Sequence, residues 1–301
     1  MNGLQHLPPD LLNHHSKWIT SQMCPDGGFP GREGGSDLYY TGFALRSLAI
    51  MDSLSPEMAQ KTAGYLKNCL HQPVSLIDLF SLLVSAFLVR IAADEDIFAD
   101  SPTDWTLRTA KLLEVHRNKD GGYMRVPGAA SGSTYMTFLV VLSLELLGEP
   151  LTDVSQLENF VQQRERSGGY VEIPQMRRAG TNPTAAAIGI LDVLGKTSPE
   201  NATSTVPFLE KMFCAEGGFR ANDRIPTADL LSTFTAAWTI SQLGGGNELP
   251  KDEILKYAHQ CAVPDGGFRG GLWDQTADIE YTFYGLGLLG LLYGLENVKI
   301  G

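Results

Sequence analysis

The segment QMCPDGGF, Gln22–Phe29, ends on a Gly-Gly-aromatic step that the chain writes again as DGGY at Gly121, SGGY at Gly168, EGGF at Gly217 and DGGF at Gly266. Counted from Gly27, the first glycines lie 94, 47, 49 and 49 residues apart. Since 94 is twice 47, one unit lacks its glycines. The spacing puts it near residue 74, in HQPVSLIDLFSLLVSAFL, where a Pro-containing turn precedes an apolar run. Six repeats of about 48 residues are the reading, with no linker or low-complexity stretch between them.

Each repeat has the same plan. A segment with apolar residues at a spacing near 3.6, such as TDWTLRTAKLLEVHR or NELPKDEILKYAHQCA, reads as an amphipathic helix. The glycine turn and a loop follow. Next comes a segment apolar almost all round, as in YMTFLVVLSLELLG or YTFYGLGLLGLLYG. A helix without a polar face is a buried helix. Exposed and buried helices alternating six times satisfy one another if they close into a ring, the buried set inside. The expected fold is all-α, an (α/α)6 double-ring toroid forming one domain over residues 1–301.

The 301 residues carry 23 Lys+Arg against 34 Asp+Glu, a net charge of −11, and 43% of them are hydrophobic. That is enough chain for a sizeable core. The negative balance excludes broad nucleic-acid binding, which neutralises phosphates with Lys and Arg. Cys24, Cys69, Cys214 and Cys261 show neither C-x-x-C spacing nor the density of a disulfide scaffold. The start has no basic stretch followed by an apolar one, and no apolar run approaches the roughly 18 residues that span a bilayer. A cytoplasmic protein is expected.

The Gln-led DGGF steps, Gln22 to Phe29 and Gln260 to Phe268, each followed by a loop and a buried helix, resemble the repeat of protein prenyltransferase β subunits and terpenoid cyclases. The nearest likeness is to the β subunit of a type II geranylgeranyltransferase, and it covers essentially the whole chain. In the zinc prenyltransferases an Asp and a Cys open the fifth inner helix as D-x-C and a His opens the sixth. The matching stretches are TADLLSTF and TADIEYTF: Asp229 keeps the first ligand, while Leu231 and Tyr281 stand in the Cys and His positions. Leucine cannot ligate and zinc prefers thiolate and imidazole, so the resemblance and its departures together imply that the zinc is absent.

The family's diphosphate site departs in the same way. Its Arg and Lys precede the D-x-C helix, where FRANDRIPTAD offers Arg220 and Arg224 but has Pro226 in the lysine position. Asn182 takes the position of a family His, and Arg177 and Arg178 in QMRRAG could restore the charge. Inner-helix N-termini attract anions independently of any resemblance. However, seven loop arginines face eight acids in those loops and caps, which leaves room only for a local cluster between the fourth and fifth repeats.

Asp-x-x-x-Thr recurs at Asp37/Thr41, Asp229/Thr233 and Asp278/Thr282, with Ser133/Thr137 matching in the third repeat and Asn182 assigned the cap of the fourth. Asp, Ser and Asn before an apolar helix are the preferred N-caps. Aromatic residues on the inner helices, among them Tyr40, Tyr135, Phe234, Trp238 and Tyr284, alternate with Gly and Ala, as in an apolar ligand cavity.

Three functions remain in view. The first is zinc-independent handling of a prenyl diphosphate or another apolar small molecule, with Arg177, Arg178, Arg220 and Arg224 on the diphosphate and Asp229, Asp278, Glu280 and Tyr281 at the mouth. The second is cyclase-like chemistry with Asp278 or Glu280 as the acid. The pair Asp278-Ile-Glu280 could share a proton or bind magnesium. The third is a non-catalytic isoprenoid-binding or scaffold protein. Asp229 and Asp278 could also serve as paired glycosidase acids, a reading the apolar inner helices disfavour. The resemblance to prenyltransferases adds a helical α subunit as a partner.

Overall fold

A computed structural model describes residues 2–72 and 75–297. The Pro73–Val74 turn of the repeat without glycines lies outside the described residues. Among the described residues, after a 3-10 turn (Asn2–His6), twelve α-helices follow in outer–inner pairs. These are α1 (Pro9–Ser21) and α2 (Leu38–Ile50), α3 (Pro56–Cys69) and α4 (Leu76–Ala93), α5 (Trp105–Glu114) and α6 (Thr134–Leu147). The second half holds α7 (Val154–Gln162) and α8 (Thr181–Val193), α9 (Pro199–Glu210) and α10 (Leu230–Gln242), α11 (Lys251–Cys261) and α12 (Ile279–Asn297). Each even-numbered helix packs on the next, α2 on α4 through to α10 on α12, and α12 packs back on α2. The all-α double ring expected from the repeat is what forms.

The glycine step is the joint between repeats. Gly168 has φ +93°, and a Cβ there would sit 2.3 Å from the Ser204 carbonyl oxygen of α9, so only glycine lets the turn lie on the next outer helix. The aromatic residue that follows goes into the core: Phe29, Tyr123, Tyr170, Phe219 and Phe268 are all buried. Burying each ring contributes about 2 kcal/mol. Its backbone N–H is taken by the repeated threonine of the inner helix. Phe29, Tyr123, Tyr170, Phe219 and Phe268 donate to Oγ1 of Thr41, Thr137, Thr184, Thr233 and Thr282 at 2.8–3.0 Å. Short antiparallel pairings, Phe29 with Asp37 and Phe268 with Asp278, clip the turn to the helix start. The α3–α4 repeat lacks this lock. Leu79 stands where the threonine would be, and α4 begins instead with a reciprocal Ser75–Asp78 capping box.

Closure joins the two ends of the ring. Gly266 lies on Trp18 of α1, and the Gly267 N–H donates to Nδ1 of the buried His15, also on α1. The 3-10 turn packs on α12 so tightly that a Cβ on Gly3 would meet the Gly290 carbonyl.

Two sequence expectations need correction. Among the described residues α4 is, at 18 residues, long and apolar enough to cross a membrane, contrary to the reading that no run approaches that length. In the structure it is an inner helix packed between α2, α3 and α6. Asn182 does not cap its helix. Gly180 is the N-cap of α8, and Asn182, one residue into the helix, hydrogen-bonds across to Ser232 and Thr235 of α10.

Candidate functional site

The second residue of every inner helix faces the axis of the ring: Tyr39, Ile77, Tyr135, Asn182, Leu231 and Glu280 together form the rim of one central cavity of about 550 Å³. Residues four and seven positions on continue the same faces inward, as the helical period requires. On α2 these are Phe43 and Arg46, and on α10 Thr235 and Trp238. Lining residues run along α10 from Leu231 to Gln242, a depth of about 16 Å at 1.5 Å per residue.

The wall is aromatic. Phe43 lies 5.4 Å from both Phe283 and Tyr284, and Phe234 lies 5.8 Å from Tyr284, in tilted and edge-on geometries. Of the aromatics expected in the pocket, Tyr135, Phe234, Trp238 and Tyr284 line it. Tyr40 does not: its ring packs on Gly31 in the loop before α2.

Glu280 is the carboxyl at the rim. It accepts a 2.8 Å hydrogen bond from the Tyr39 hydroxyl, across the junction of the first and last inner helices. Burial pushes its pKa up, and Asp278 adds to the rise, while the Tyr39 bond, Arg46 and Arg32 oppose it. Its protonated form therefore persists to higher pH than that of an ordinary carboxyl. Arg46 is the cation that reading the sequence missed. Its guanidinium stacks 4.0 Å from the Phe43 ring centroid and 4.9 Å from that of Phe283, with Nε–H donating to the Gly42 carbonyl. Its place seven residues after Tyr39, as the one charge in FALRSLAI, was the available signal.

The other acids named from the sequence stand outside the cavity lining. Asp229 caps α10, accepting from the Ser232 N–H at 2.7 Å and hydroxyl at 2.8 Å, and burial raises its pKa. Asp278 accepts from the Tyr281 N–H at 2.8 Å and pairs with Arg32 at 2.7 Å. Arg32 also holds Asp274 at 2.5 Å. Burial alone would raise Asp274, but the Arg32 bonds and two backbone N–H groups bring it down to about 2. Asp278 and Glu280 thus have separate partners. Tyr281 is a phenol pushed up to about 12 by burial and the neighbouring acids, so it stays neutral at physiological pH. Asp229, Leu231 and Tyr281 thus present an engaged carboxylate, a leucine and a neutral phenol. Among the described residues no three His, Cys, Asp or Glu side chains converge on a metal position.

The four arginines assigned to a diphosphate lie in loops and do not line the cavity. Arg178 pairs with Asp223 at 2.6 Å, which ties the QMRRAG loop to the FRANDRIPTAD loop and so brings Arg177 and Arg224 onto joined loops. Arg220 turns away, donating to the Lys211 carbonyl at 3.0 Å.

Comparison with solved structures supports the same architecture. Candida albicans protein geranylgeranyltransferase-I complexed with GGPP is 15% identical, with TM-score 0.70, covering 93% of this chain and 91% of that one. The type II terpene cyclase MstE from Scytonema, as a variant in complex with geranylgeranyl dihydroxybenzoate, is 14% identical, with TM-score 0.66 and 98% of each chain covered. The GH76A alpha-1,6-mannanase from Salegentibacter sp. HEL1_6 is 11% identical, with TM-score 0.64, covering 95% of this chain and 99% of that one. At these identities the likeness is one of fold. No curated protein matches the sequence. The family model for the prenyltransferase alpha-alpha toroid domain matches residues 1–171, 80–223 and 182–300. With that match running from end to end over a closed ring of six helical pairs, the chain belongs to the prenyltransferase alpha-alpha toroid domain family.

Proposed function

We propose that this protein holds an isoprenoid in its central cavity and that Glu280 gives it a proton, without zinc. The observation that carries the reading is a carboxyl with a raised pKa set into an aromatic wall. A volume of about 550 Å³ falls in the usual range for a small-molecule site. The solved transferase and cyclase of this shape both hold a geranylgeranyl group, which supports a prenyl chain as occupant. The residues in the family's zinc positions do not suit that metal.

A carboxyl of raised pKa keeps its proton well but is a weaker acid, so an epoxide or ether oxygen suits it better than a bare alkene. Glu280 protonates that oxygen, the C–O bond breaks with its electron pair going to oxygen as a hydroxyl, and the cation forms on the chain. An alkene of the same chain supplies the electrons for a ring C–C bond, and loss of a proton to the Glu280 carboxylate or water restores neutrality. The faces of Phe234 and Tyr284 stabilise the cation meanwhile. The test is incubation with prenyl compounds with and without an epoxide, read by mass spectrometry. Cyclised product from the epoxide with wild type, absent with Glu280→Gln, supports the reading; equal turnover by both sinks it.

A second reading, transfer from a prenyl diphosphate, draws support from the joined loops carrying Arg177 and Arg224. Calorimetric titration with geranylgeranyl diphosphate, magnesium present and zinc absent, tests it. A helical α subunit belongs to that reading and is sought by co-purification. Binding without turnover of either kind would make the ring a non-catalytic isoprenoid carrier.

A further inference from the structure

Arg46 stands in an unusual position for a cation. Its helix neighbours are mostly apolar, its guanidinium lies against two aromatic rings that are themselves only 5.4 Å apart, and among the described residues no carboxylate lies within ion-pair distance of it. Glu280, a rim acid whose charge acts on Arg46, is already bonded to the Tyr39 hydroxyl. Among the described residues only the Nε–H is spent on protein, on the Gly42 carbonyl, so the two terminal nitrogens keep their donors for the cavity that Arg46 lines. Side chains on a helix lean toward its N-terminus, so the guanidinium lies about one turn below the rim, level with Phe43.

Burial disfavours a charge that has no counter-ion, and it pushes the pKa of this guanidinium down. An Arg nonetheless remains protonated in proteins. A site that keeps a permanently charged, planar double donor against ring faces is suited to a planar or tetrahedral oxyanion, which it can grip with two parallel bonds. The hydroxyls of Tyr135 and Tyr284 belong to the same electrostatic neighbourhood and are kept protonated by burial, so they remain available as further donors.

We propose that Arg46 is an anion-binding residue inside the cavity, and that the ligand carries a carboxylate or phosphate seated on Arg46 within the aromatic wall, below the rim and away from the arginine-bearing loops. This deepens the isoprenoid reading and rests on it for the nature of the tail, whereas the oxyanion itself follows from Arg46.

The test compares heads on a constant tail by calorimetry: geranylgeraniol, geranylgeranoic acid and geranylgeranyl phosphate, with dodecanol and dodecanoate as the same contrast on a plain chain. Wild type is expected to bind the anionic heads at least about ten-fold tighter than the alcohol, the worth of a charge-assisted bidentate contact. The acid and phosphate arms say which oxyanion is preferred. In Arg46→Met that preference collapses while the alcohol still binds, and Arg46→Lys keeps part of it. Circular dichroism confirms folding of each variant, and the wild-type comparison needs no variant at all. Equal binding of alcohol and acid by wild type overturns the proposal. So does a preference that survives Arg46→Met but disappears in an Arg177→Ala/Arg224→Ala double variant. If the prenyl series is silent and dodecanoate still outbinds dodecanol, the isoprenoid reading fails and the oxyanion site stands. If no anion binds in either series, the oxyanion site is lost.

Discussion

The Tyr39 hydroxyl donates to Glu280 Oε1 at 2.8 Å, so the first and last inner helices meet in a bond between the second residue of each. A hydrogen bond to the carboxylate lowers its pKa, and burial together with Asp278 raises it; the net displacement is upward. If Glu280 acts as an acid, the rate falls as pH rises through that raised value. Tyr39→Phe removes a bond that favours the charged form, so the falling limb of the pH–rate profile should move to higher pH. Glu280→Gln should cost about 10²–10⁴ in rate with binding retained. A Tyr39→Phe limb that moves to lower pH would remove Glu280 from the role.

Thr233 Oγ1 accepts the Phe219 N–H at 2.9 Å and donates to the Asp229 carbonyl at 2.6 Å, with Thr233 and Phe219 both buried. Thr233→Val keeps the shape and strands the Phe219 N–H. A loss of about 1–3 kcal/mol in urea unfolding is expected. Thr233→Ser should restore most of it.

Gly168 and Gly148 both have positive φ, +93° and +68°, but only Gly168 has a backbone oxygen where its Cβ would go. Alanine at Gly148 should cost about 1–2 kcal/mol, the left-handed strain alone. Alanine at Gly168 should cost more than about 3 kcal/mol, because α9 must also move. Paired melts of the two variants measure the difference.

His15 is neutral in the folded ring: burial lowers its pKa to about 4, helped by His14 and His259, and Nδ1 accepts from the Gly267 N–H. The unfolded side chain titrates near 6.5. Between these values the unfolded chain binds a proton that the folded one refuses, so stability is full above 6.5 and falls as pH drops toward 4. Unfolding at pH 5 should be easier than at pH 7 by about 2 kcal/mol from this group. His15→Gln offers Gly267 an uncharged acceptor, and its unfolding free energy should show that much less pH dependence.

The ring itself was legible because one physical need, a turn pressed onto a neighbouring helix, repeats as a glycine pair that no other residue can replace. The inner helices were legible because they lack a polar face. The threonine lock was visible as Asp-x-x-x-Thr but not interpretable: the bond partner, the aromatic residue 14 positions back at Thr233 and Phe219, meets it only once the loop folds over. The cavity was legible by type and not by membership. Tyr39 and Tyr40 are neighbours in sequence, yet one faces the axis and the other faces a loop. Arg46 was invisible as a site because a single arginine in an apolar helix has no pattern until the helix has a direction.

Because the Asn2–His6 turn and α1 dock on α12 and the last glycine turn, the opening outer helix waits for the sixth pair to be synthesised. Until α12 is made, five pairs of helices form an open arc whose apolar inner surface faces water. Contacts of such long sequence separation fold slowly and leave sticky intermediates. The aromatic lumen is therefore the last part of the ring to close, and the nascent arc, more than the finished ring, is the form that needs shielding.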